Sequence, residues 1–186
     1  MSDMHRFPLE QYASLELNQV AFPKTGMVVS QVPLGSEFTA AAPCENGMWV
    51  LADKAKGTIG SAAAVTDTPI GIVYTAEKEY DMYHYGLKTF GRKIAGDYPR
   101  VGILGLGDTV TTNCLQYDDG EFATETALYA ALAACETTPV YVVLVAGSPV
   151  PKLTATKPDS GIYGKVVKFY TVPNGEKGVK YQIVSL

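Results

Sequence analysis

The chain has 186 residues, 47% of them hydrophobic, enough to bury the core of one domain or of one domain with an arm. Its formal net charge of −4 and pI near 5.2 give no electrostatic footprint for wrapping a phosphate backbone, which argues against direct nucleic-acid binding. Charged residues make up only 18%, below the roughly 25% of typical soluble domains, while twelve tyrosines help lift aromatics to 10%, a surface suited to lying against neighbours.

The opening MSDMHRFPLEQY has no apolar core of the kind a secretory signal needs, so synthesis in the cytoplasm without secretion is expected. Residues 1–25 mix polar and apolar side chains around Pro8 and Pro23 with no clean period. They predict an extended arm that docks on a neighbour or on its own body. From Gly26 a β pattern begins. Met27–Val32, Met48–Ala52, Ile70–Thr75, Val101–Leu104 and Thr109–Leu115 are short runs rich in Val, Ile, Thr and Leu, set off by Gly, Pro, Asn and Asp. Trp49, in the middle of the second run, is expected to be buried. Residues 52–69, small and polar with two glycines, predict an exposed loop. Residues 77–99 read as a second loop. They hold four of the twelve tyrosines beside Met82 and His84, and are the strongest candidate for a contact surface.

One segment departs from the β rhythm. Thr124 caps, Glu125 suits a first turn, and Leu128, Leu132 and Cys135 follow at spacings of four and three, predicting a short helix at about 124–135. The longest apolar run, Val140 to Gly147, is far shorter than the roughly 20 residues of a membrane-spanning helix. Val166–Val172 and Val179–Val184 flank PNGEKG as a hairpin with one buried and one wet face. The expected fold is therefore mainly β, a sandwich or barrel of short antiparallel strands with one helix. An arm over 1–25 would precede a single β-rich domain over 26–186 that ends in the hairpin 166–184.

The groups able to carry chemistry are scattered. GILGLGDT opens like a dinucleotide-binding loop, but Val110 stands where the third glycine belongs and no long helix follows, so Gly107 and Asp108 read as a turn between strands. Asp118, Asp119 and Glu121 fit turn and helix-dipole roles better than an acid/base or cation site. Cys44, Cys114 and Cys135 are odd in number and widely spaced. That pattern suits neither a disulfide framework nor a zinc site and leaves buried free thiols. His84 reads as a surface contact and His5 as solvated or at an interface. Ser61 lacks the frame of a nucleophile elbow. No enzyme, metal or cofactor is expected from these residues.

The runs GMWVLADKAKGTIGSAAAVTDTPIGIVYTAEKEYD, YPRVGILGLGDTVTTNCLQYDDGEF and KVVKFYTVPNGEKGVKYQIV together resemble virion structural proteins of tailed phages of Gram-positive hosts, of the capsid decoration or minor head type. The likeness spans most of residues 26–186 and rests on overall pattern. It implies a protein on the outside of the capsid, made in the host cytoplasm, partnered by the major capsid protein and by itself, commonly as a homotrimer, without membrane or direct nucleic-acid contact. On that reading the contacts fall to Phe7, Leu9, Tyr12, Leu15 and Leu17 in the arm and to Tyr80, Tyr83, His84 and Tyr85 in the loop. The arm could add a strand to a neighbour's sheet. Core burial of the same residues is the competing account. A tail-tube or head-completion protein is the alternative, and a carbohydrate-binding β module using Trp49 and the Tyr-rich loop is the second.

Overall fold

The computed structural model describes residues 3–8, 13–16, 20, 26–75, 93–171 and 175–186. In chain order the strands are β1 Met4–Arg6, β2 Val28–Val29, β3 Trp49–Leu51, β4 Ile70–Val73, β5 Val101–Ile103, β6 Thr109–Thr112, β7 Gln116–Asp118, β8 Tyr141–Val145, β9 Ser148–Thr154, β10 Tyr163–Thr171 and β11 Lys177–Ser185. Among the described residues one α-helix, α1, spans Glu125–Ala133 between β7 and β8. The larger sheet runs β1-β7-β9-β8-β10-β11-β6 and the smaller β2-β5-β4-β3. Pairing is antiparallel except where Gln116 of β7 meets Lys152 of β9 in parallel. The two form a sandwich-like fold with no closed barrel.

The C-terminal hairpin shows most directly why these residues make sheet. On β11, Val179, Tyr181 and Ile183 point inward while Gln182 and Val184 face out, the period-2 pattern of a half-buried strand. A Cβ on Gly164 of β10, which pairs with Ile183, would stand 2.8 Å from the Tyr181 ring, so glycine lets the tyrosine lie across the neighbouring strand. Tyr181 then reaches the smaller sheet, where its hydroxyl accepts from Trp49 Nε1 at 2.9 Å. Both rings are fully buried, with their centres 5.9 Å apart. Trp49, Leu51, Ile70 and Ile72 of the smaller sheet and Val110, Val142, Leu153, Val166 and Ile183 of the larger thus share one core.

The helix closes part of that core. Thr124 Oγ1 accepts from Ala127 N at 3.1 Å and satisfies a first-turn donor, while Leu128 and Leu132 point inward. Five predicted strands, the helix and the hairpin match observed elements. β7, β8 and β9 were not predicted. The run Val140 to Val145 is apolar on both faces, and Gly147, with φ 74°, turns it directly into β9.

One expectation is corrected. Residues 52–69 are not simply an exposed loop: beyond a single 3-10 turn at Lys54–Lys56, Ile59 and Ala62 are fully buried. Ile59 bridges Leu34, and the next residue, Gly60, bridges Leu51. One apolar residue amid polar ones suffices here because two backbone bridges press it inward. Of the two docking places expected for the N-terminal segment, its described residues take the chain's own body. Met4, His5 and Arg6 pair with Asp118, Tyr117 and Gln116, and Phe7 N donates to Leu115 O at 2.9 Å. Farther along, Leu15 bridges Thr112. The described stretches 3–8 and 13–16 therefore lie along β7 and along the end of β6.

Candidate binding cleft

The structure distributes the predicted contact residues unevenly. Phe7 is buried in the main core, edge-on to Tyr129 at 5.9 Å, with Phe169 a further 5.3 Å on. Its strand lies against the rim of the core and the ring fills the interior of the chain, the core-burial alternative for this residue. Leu15 is half-buried and packs on the same core. Leu9, Tyr12, Leu17, Tyr80, Tyr83, His84 and Tyr85 lie outside the described residues. His5 stacks at 5.5 Å on Tyr117 and stands 4.0 Å from Asp119.

Polar groups that are distant in sequence fix this N-terminal segment. Glu45, just ahead of β3, is almost wholly buried. Its Oε2 accepts from Arg6 Nη2 at 3.1 Å and from Ala13 N at 2.9 Å. Asn113 Oδ1 accepts from Ser14 N at 2.6 Å, while Asn113 Nδ2 donates to Glu176 Oε2 at 2.8 Å. Buried carboxylates and amides are costly unless satisfied, and here the N-terminal backbone and Arg6 satisfy them.

Beside the Arg6–Glu45 pair opens a cleft of about 410 Å³. Phe38, Met48, Pro149 and Val150 give it apolar walls, and Gly147 of the β8–β9 turn forms part of the rim. Glu37 also lines it, and its Oε1 accepts from Ser61 N at 2.5 Å. A Cβ on Gly60 would come within 3.0 Å of Glu37 Oε1, and one on Gly35 within 3.1 Å of Oε2. Neither glycine has a left-handed backbone, so their small size accounts for them: they leave the space that the carboxylate occupies. The cleft is thus apolar in body and charged at fixed points, the composition of a recognition site. Sequence reading missed it because residues 6, 37, 45, 61 and 147–150 share no motif.

Other reactive groups have structural partners. Asp119 Oδ1 accepts from Asp3 N at 2.8 Å and Asp118 Oδ1 from Gly120 N at 2.8 Å. Glu121 Oε1 takes Thr154 Oγ1 at 2.6 Å and Ala155 N at 2.6 Å, tying down the end of β9. Among the described residues, no group of three or more His, Cys, Asp or Glu converges as metal ligands would. All three cysteines are free and buried. Burial, reinforced by Cys114, pushes the Cys44 thiol well above its ordinary range. Burial also lifts Cys114 to about 12 against the opposing pull of Arg6, so both stay protonated and unreactive near neutrality. Trp49 is enclosed and offers no stacking platform for a sugar. Comparisons with protein-family models, with curated proteins and with solved structures found no match, so the cleft is read from its own chemistry.

Proposed function

We propose that this chain is a virion structural protein that binds the outer surface of a phage capsid and stabilises the shell. Its partners would be the major capsid protein and further copies of itself, as a homotrimer. The observation that supports this reading most is the character of the outermost strands. β1 at one end of the larger sheet exposes Met4 (44%), and β2 at one end of the smaller exposes Val28 (37%) beside Met27 (53%). No charged residue falls between Gly26 and Val32, although natural edge strands are commonly blunted by charge or proline. Such borders suit strand-to-strand or face contact with another protein.

A protein bridging the seam between capsid subunits adds buried area that must be separated before the shell opens. Many copies on one shell, each contacting two subunits, hold more strongly than any single contact does. With Phe7 in the core, the contact falls to the body and its borders instead of to a detached arm.

Co-sedimentation of the purified chain with emptied, expanded phage heads, alongside its solution mass, tests the reading. Saturable binding at a fixed ratio to the major capsid protein is expected. Rings or tubes in solution without head binding would instead favour a tail-tube or head-completion role, and absence of both would sink the virion reading.

A further inference from the structure

We propose that the cleft between Arg6, Glu37 and Glu45 takes a basic side chain, Lys or Arg, presented by a partner protein. This deepens the reading of the chain as a protein-binding module and rests on it. The first argument is charge. Among the described residues, Arg6, Glu37 and Glu45 are the charged ones lining the cleft, and two carboxylates against one guanidinium leave this set one negative charge.

The second argument is that these charges are held in place. Glu45 has a side chain only 5% exposed and spends Oε2 on Arg6 and Ala13, while Oε1 receives no hydrogen bond from a described residue. Glu37 is pinned by the Ser61 amide above two glycines that leave it room. A carboxylate fixed before binding loses little conformational freedom when a cation arrives. The third argument is the wall. Exposed Ala41 and Ala42 and half-buried Pro149, backed by the buried Phe38, Met48 and Val150, offer apolar surface of the kind that Lys and Arg stems cover while keeping the charged head on a polar partner. An acidic or purely apolar side chain would satisfy only part of this arrangement.

The test uses the full chain and short blocked peptides, Gly-X-Gly, with X as Lys, Arg, norleucine or Glu, followed through backbone amide shifts at low ionic strength. Saturable shifts at Ser61, Ala13 and Gly147 are expected with Lys and Arg, with norleucine roughly fivefold weaker and Glu weaker still. Glu37→Gln keeps an oxygen acceptor for the Ser61 amide and removes only charge. It should weaken the Lys peptide by roughly three- to tenfold, with the difference shrinking as salt rises. Equal binding of norleucine and Lys, preference for Glu, an unchanged Glu37→Gln or no shift with any peptide would each overturn the proposal. Head binding without peptide shifts would remove the cleft and leave the capsid reading standing. Peptide shifts without head binding would do the reverse.

Discussion

The C-terminal hairpin and the N-terminal segment both end as strands of the larger sheet, yet different chemistry holds them there. In β10–β11 the stabilisation is apolar and repetitive, with every second residue of Val179, Tyr181 and Ile183 buried in the common core. Among the described residues between 3 and 16, Phe7, Pro8 and Ala13 are the buried apolar side chains. Backbone pairing and polar capture by Glu45, Asn113 and Asp119 hold the rest. Periodic burial makes a hairpin that forms from neighbouring residues. Polar capture makes a strand that waits for partners about a hundred residues away, the slower kind of contact to assemble.

Substitutions should separate the two regions. Tyr181→Ala removes a buried ring and the acceptor of Trp49 Nε1, and should cost about 4 kcal/mol in chemical denaturation, weakening both sheets together. Phe7→Ala should cost about 3 kcal/mol by emptying the space against Tyr129. If that cost fell below about 0.5 kcal/mol, Phe7 would not be a core residue. Glu45→Gln weakens two charge-assisted hydrogen bonds at once. It should cost about 2 kcal/mol, and the loss should appear as faster amide exchange at Phe7 and Ala13 with the hairpin amides unchanged.

The smallest effect is the onset of alkaline destabilisation at pH 9. The Cys114 thiol titrates at about 12 in the folded chain against an ordinary 9.0, so the unfolded state gives up its proton first. Folding stability contributed by this thiol is complete below pH 9 and declines as pH rises from there towards 12. The loss at pH 9 itself is about 0.4 kcal/mol. Cys44 shifts in the same direction and adds to it. Urea titrations of wild type and Cys114→Ser across that range should show the variant with the shallower decline.

The same contrast explains what could be read from the sequence. The helix was legible because Thr124, Leu128, Leu132 and Cys135 are close in the chain and report one face. The hairpin was legible because its alternation is uninterrupted. β8 was hidden because a strand buried among others loses its alternation, and β9 because Pro149 and Pro151 mask a strand in a sequence scan. β1 was hidden because its three exposed residues carry no pattern and its partner begins at Gln116. The cleft was least legible of all. Glu37 and Glu45 belong to no sequence motif, and only the fold sets one on Ser61 and the other on Arg6.

The most direct measurement of the central structural claim, that the N-terminal segment belongs to the chain's own body, is hydrogen exchange on the wild-type chain over a range of protein concentrations. Protection of the Phe7 and Glu16 amides, which donate to Leu115 and Thr111, should match that of neighbouring sheet amides and stay constant on dilution. Amides at Phe7 and Glu16 that exchange like an unfolded chain while Val179 and Tyr181 stay protected would contradict it. Protection lost on dilution would give the segment to a second copy instead.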